Sequence, residues 1–124
     1  MAQTTQQKFV IYGKFDIPPV RARFRAQLTG AQFSANLVGR AVTAFSGLAD
    51  ALFITNEDQQ IEITLRCRPD QNNSMLLTGL VPGAASKLNA ITEYTATLQR
   101  IVDTFQILPE EGYLRVEVGL SERS

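Results

Sequence analysis

Histidine is missing from all 124 residues, and with it the commonest general base and the commonest metal ligand. No Ser-His or Cys-His nucleophile can be assembled from this chain, zinc is not expected, and no residue nominates itself as catalytic. The expectation is a non-enzymatic protein with no metal and no cofactor. Cysteine is almost missing too. A lone Cys67 cannot form an intrachain disulfide, which fits a reducing, cytoplasmic setting. Neither sign of charge is in excess, with 12 Lys plus Arg against 12 Asp plus Glu, so the chain as a whole does not advertise a polyanionic partner. There is no long hydrophobic run. The longest nearly uncharged segment, 30–55, is broken by Arg40 and Asp50 and is rich in Ser, Thr and Gly, whereas a membrane span needs about 20 predominantly apolar residues. The polar start MAQTTQQK shows no secretory signal, which also empties Asn72-Asn73-Ser74, a glycosylation-like triplet, of meaning.

What is present is an ordinary globular composition, 44% hydrophobic and 19% charged, at a length suited to one domain with a real core. Residues 1–124 are read as that domain, with flexible tails at 1–7 and 121–124. Lys8 to Asp16 alternates Phe9, Ile11, Gly13 and Phe15 with Val10, Tyr12, Lys14 and Asp16, the period of a strand. Ile17-Pro18-Pro19 interrupts pairing. Val20 to Leu28 then sets Val20, Ala22, Phe24, Ala26 and Leu28 against Arg21, Arg23, Arg25 and Gln27, and is read as the return strand of a hairpin. Thr29-Gly30-Ala31-Gln32 fits a capping box. Phe33, Leu37, Ala41, Ala44, Phe45, Leu48 and Leu52 follow at helical period.

In the second half, Asn56-Glu57-Asp58-Gln59 is a polar turn, Gln60 to Arg68 alternates as a strand, and Pro69 to Asn73 is a turn cluster. Ser74 to Leu80 is a return strand. A second helix is expected to open at Pro82-Gly83, with Leu88, Ile91, Thr95, Leu98, Val102 and Phe105 on one face, and to end before Pro109. Tyr113 to Leu120 is a fifth strand. The order is ββαββαβ. The expected architecture is an α+β domain whose mainly antiparallel five-stranded sheet carries two long helices on one face. QLTG at 27–30 is echoed by LLTG at 76–79, and FITNEDQQIEI from Phe53 resembles FQILPEEGYLRVEV from Phe105. Either an internal ββα duplication or two similar local solutions accounts for this.

On that architecture the uncovered sheet face gathers Tyr12, Lys14, Arg21, Arg23, Arg25, Arg66, Arg68 and Arg115, with Glu62 and Glu117 as acids. Guanidinium groups in this arrangement suit an anionic partner. They equally suit a solvated face, since like charges on alternate strand positions about 7 Å apart repel in water by only about 0.6 kcal/mol. An acidic protein partner is preferred to nucleic acid because Tyr12 is the single aromatic there, where stacking platforms offer two or three. Cys67 sits in the apolar register as a small hydrophobe. The paired acids Glu57-Asp58 and Glu110-Glu111 read as solvated turn residues. A ladder of small residues, Ala35, Gly39, Thr43 and Gly47, invites close approach of another helix, either within the subunit or from a second copy in a homodimer. The functional expectation is a small protein-binding adaptor or regulatory domain acting as a homo-oligomer. The alternative is nucleic-acid or phosphate-ligand binding through the arginine-rich face.

Overall fold

A computed structural model describes residues 5–31, 33–55, 60–68, 73–82 and 87–122. Five segments form strands. These are β1 (Thr5–Ile11), β2 (Ile61–Arg68), β3 (Ser74–Pro82), β4 (Thr104–Glu110) and β5 (Tyr113–Leu120). They form one open sheet in the order β1-β2-β3-β5-β4, and every neighbouring pair is antiparallel. The α+β class and the five-stranded antiparallel sheet are as the sequence predicts. Ile61, Ile63, Leu65 and Cys67 of β2, Met75, Leu77 and Val81 of β3, and Leu114, Val116, Val118 and Leu120 of β5 turn their side chains into one buried cluster.

Helices α1 (Ile17–Gly30), α2 (Ala35–Thr55) and the short α3 (Leu88–Tyr94) cover that side of the sheet, α2 lying across β2, β3 and β5 and α1 beside it over β1. The stripe expected for α2 is entirely buried, from Phe33 and Leu37 through Phe45 and Leu48 to Leu52. Three rings join the first three elements. Phe9 of β1 meets Phe24 of α1 edge-on at 5.5 Å and Phe45 of α2 edge-on at 5.7 Å, while Phe24 and Phe45 stack at 4.5 Å. Ser34 caps α2, its hydroxyl accepting the Leu37 N–H at 3.1 Å.

Two segments differ from their sequence reading. Val20 to Leu28, expected as a strand, is the body of α1, and the first strand ends at Ile11 rather than Asp16. The large residues Ile17, Val20, Phe24 and Leu28 are the buried ones, spaced three, four and four apart, which is helical. Only Ala22 and Ala26 completed the period of two, and both are exposed. Pro18 and Pro19, read as a break, stand at the helix start, where a missing N–H costs nothing. The helix expected over 83–108 is also shorter. It persists as α3 and a 3-10 turn at Leu98–Arg100, and Thr104 onward is β4. Ile91, Thr95, Leu98 and Val102 are buried as that face required. Thr104, Phe105 and Ile107, however, are strand formers, and β4 is an edge, where Pro109 is tolerated. The echoed tetrapeptides accordingly fall in different settings, QLTG at the end of α1 and LLTG within β3. Gln32, the turn at 56–59, residues 69–72 and the expected helix opening at Gly83 lie outside the described residues.

Candidate functional site

Between β1 and α1 the chain turns through Tyr12, Gly13, Lys14, Phe15 and Asp16, and one carboxylate organises it. Asp16 Oδ2 accepts the N–H groups of Tyr12 at 3.1 Å and Gly13 at 3.0 Å, while the Asp16 N–H donates to the Gly13 carbonyl at 2.9 Å. The turn so locked directs its aromatic side chains outward, leaving Tyr12 72% and Phe15 94% exposed. Burying Ile17, Val20, Phe24 and Leu28 then fixes the rest of α1. Pro18, Arg21, Ala22 and Arg25 face the groove beside α2, a cleft of about 550 Å³ closed on the other side by Val42, Thr43 and Ser46. Arg21 Nη1 donates to Ser46 Oγ at 3.4 Å. Arg23 projects from a different side of the helix, since 100° per residue carries it well away from Arg21.

The uncovered sheet face is chemically different. Lys8 pairs with Glu62 at 3.7 Å, and Arg66 Nη2 donates to Gln6 Oε1 at 3.2 Å. Arg115 Nε stands 3.2 Å from Glu110 Oε1, close enough for an ion pair but not aligned as a hydrogen bond. The Tyr113 side chain and then Glu110 raise the Arg115 pKa above its ordinary value. Glu117 lies on the same face as Arg115, and Thr64 and Thr78 face each other across β2 and β3. Cations and acids therefore alternate here.

The eight residues expected to share one anionic-partner surface thus fall into two groups. Tyr12, Lys14, Arg21, Arg23 and Arg25 belong to the β1–α1 unit on the helical side. Arg66, Arg68 and Arg115 belong to the open sheet face. The small-residue ladder of α2 also divides. Gly47 receives Leu98, whose Cδ1 would lie 3.7 Å from an added β-carbon. Ala35, Gly39 and Thr43 border an open groove with Asn36, Arg40 and Ile101. Cys67 is buried, as expected of a small hydrophobe.

Phe15 was not legible as a surface residue, because a period of two assigned it to the apolar register with Phe9 and Ile11. The available signal was the flanking pair of breakers, Gly13 before it and Pro18-Pro19 after it. Among the described residues no cluster of three His, Cys, Asp or Glu side chains is placed to hold a metal ion. No described helix is long and apolar enough to cross a membrane.

No protein-family model matches this chain, and no curated protein matches it. Among solved structures the helix-backed antiparallel sheet has a clear counterpart. The chain is similar to the crystal structure of the RsbU and RsbW domains of Rv1364c from Mycobacterium tuberculosis, with a TM-score of 0.71 and 13% identity, over 97% of this chain and 32% of that one. At that identity the likeness shows the fold, and this chain spans about a third of the length of its counterpart.

Proposed function

We propose that this chain is a small, non-enzymatic protein-binding domain of the adaptor or regulatory kind, working in the cytoplasm, with the β1–α1 unit as its contact surface. The observation that carries the reading is the pair Tyr12 and Phe15, held 72% and 94% exposed by a turn that Asp16 locks. A phenylalanine in water forgoes about 1.5–3 kcal/mol of burial. A preorganised turn presents it without further ordering cost on binding, and exposed aromatics beside arginines are the residues that dominate protein interfaces. The likeness to domains that occur joined in a longer chain supports a module that works beside other proteins. Affinity capture from a lysate of the native host, comparing the wild-type chain with Phe15→Ser and Tyr12→Ser, tests this. A stoichiometric protein retained by the wild type and lost by Phe15→Ser is the expected result. Equal retention by all three would remove the β1–α1 unit from the interface.

A second copy of the chain is the occupant we propose for the outer face of α2. Gly39 carries the observation, because a β-carbon there would meet no heavy atom within 4 Å. A glycine inside a helix costs about 1 kcal/mol relative to alanine, and no neighbour among the described residues requires it. Sedimentation is expected to show a dimer that Gly39→Arg converts to monomer; a monomeric wild type at high micromolar concentration would sink the idea.

A further inference from the structure

Arg21 and Arg25 stand one helical turn apart, about 6 Å along the axis of α1, on one wall of the α1–α2 groove. Neither has a carboxylate partner among the described residues, whereas Lys8, Arg40 and Arg115 each have one. Helix α1 contains no acid, and α2 contains only Asp50, one turn beyond Ser46. Asp16, nearest in the chain, is committed to the turn amides. The groove is therefore electropositive, while Pro18, Ala22 and Val42 make part of its lining apolar. Pro18, Ala22 and Arg25 follow at spacings of four and three along α1, and the exposed Phe15 ring stands in the turn three residues before Pro18.

We infer that the α1–α2 groove seats an acidic segment of a partner protein. Two carboxylates spaced by one helical turn meet Arg21 and Arg25, and an apolar side chain follows Pro18 toward Phe15. This rests on the protein-binding reading and specifies its chemistry. Guanidinium forks pair with carboxylates in two parallel hydrogen bonds, and Ser46 already orients Arg21. A protein segment fits better than a polynucleotide. A strand of nucleic acid needs cations following successive phosphates and several stacking rings, and this groove offers two arginines, an apolar lining and one ring at its end.

The probe is a fluorescein-labelled amphipathic peptide of about fifteen residues, roughly four helical turns, with glutamates one turn apart and leucines between them. Its glutamine counterpart and an oligothymidylate of similar length are compared with it by fluorescence anisotropy. The acidic peptide is expected to bind saturably and more weakly as salt rises. The affinity is expected to fall about tenfold or more in Arg21→Gln/Arg25→Gln and in Phe15→Ser, and to be unchanged in Arg66→Gln. Amide shifts in the labelled protein should centre on Ala22, Val42, Thr43 and Ser46. The altered side chains, Phe15, Arg21, Arg25 and Arg66, are all exposed, so an unchanged circular dichroism spectrum and urea midpoint certify folding. The inference is overturned if the acidic peptide fails to bind at low salt, if the glutamine peptide binds as well, if oligothymidylate binds more tightly, or if Arg66→Gln loses as much. A captured partner that survives Arg21→Gln/Arg25→Gln but not Phe15→Ser would overturn the acidic groove and leave the protein-binding reading intact.

Discussion

Leu52 of α2 rests directly on Gly79 of β3, so closely that a β-carbon at Gly79 would lie 2.7 Å from Leu52 Cδ1. The glycine is the notch that lets the long central helix lie down on the middle strand. Gly79→Ala must displace a side chain that is fully buried, and overpacking of this kind costs about 1–3 kcal/mol. Leu52→Ala is expected to cost about 2–5 kcal/mol by leaving a cavity. The two should be coupled, because the added methyl occupies space that Leu52 vacates. Urea unfolding of both single variants and the double variant is expected to show a combined loss smaller than the sum. Strict additivity would mean that the two residues do not compete for one space.

Acidification probes a second long-range contact. Glu122 closes the N-terminus of α2, its carboxylate accepting the Ser34 N–H at 3.0 Å and the Ser34 hydroxyl. The Ser34 hydroxyl, then its backbone amide, hold the Glu122 carboxyl below its ordinary value near 4.5. A carboxyl depressed by folding contributes stability that is complete above its ordinary pKa and is lost as pH falls through the lowered one. Wild-type stability should therefore decline more steeply below about pH 4.5 than that of Glu122→Gln, which lacks the titration. At neutral pH Ser34→Ala should cost about 1 kcal/mol through the lost cap. Urea midpoints measured from neutral pH down through the acid range decide both; parallel declines of wild type and Glu122→Gln would mean that Glu122 does not carry the acid sensitivity.

The core was largely readable and the exposed site was not, for a physical reason that α1 makes plain. Phe24 and Leu28 share one face under either period, since four residues is a multiple of two and also about one helical turn. The ambiguity lay in Ala22 and Ala26, small enough to sit inside or outside, and it carried Arg21, Arg23 and Arg25 onto the wrong element. For α2 no such ambiguity arises, because Phe33, Leu37, Ala41, Phe45, Leu48 and Leu52 follow at spacings of four, four, four, three and four, and Ala44 stands three from Ala41 and four from Leu48. The long-range polar contacts, Glu122 with Ser34 and Arg40 with Asp103, left no local pattern at all, because each joins segments more than sixty residues apart.

Arg40 illustrates the stake in one such contact. Its guanidinium is mostly buried and donates to the Ile101 carbonyl at 3.2 Å, the Ser121 carbonyl at 3.2 Å and Asp103 Oδ2 at 2.9 Å. Asp103 Oδ2 in turn accepts the Ser121 N–H at 2.8 Å. One side chain of α2 thereby ties down the segment entering β4 and the segment leaving β5. Arg40→Ala strands these acceptors and should cost about 1–3 kcal/mol. Arg40→Lys should recover only part, because an ammonium lacks the planar fork that reaches three acceptors at once. Hydrogen exchange at Asp103 and Ser121 is expected to accelerate in both variants; unchanged exchange would show that the junction holds without Arg40.

Phe15 and Phe24 provide the sharpest separation of binding from folding. They are the same residue type in the same stretch of chain, yet one is 94% exposed and the other 0% exposed. Phe24 stacks on Phe45 at 4.5 Å and meets Phe9 at 5.5 Å, so Phe24→Ala should remove about 3–5 kcal/mol of stability. Phe15→Ala removes no packing and should alter stability by no more than about 0.5 kcal/mol in either direction, while abolishing retention of a partner. Asp16→Ala serves as the bridging test. It frees the amides of Tyr12 and Gly13 and should weaken partner binding without touching either ring, because the rings are no longer held in one orientation. Urea midpoints together with partner retention for the three variants separate the roles, and a Phe15→Ala chain destabilised as much as Phe24→Ala would place that ring in the fold rather than on a binding surface.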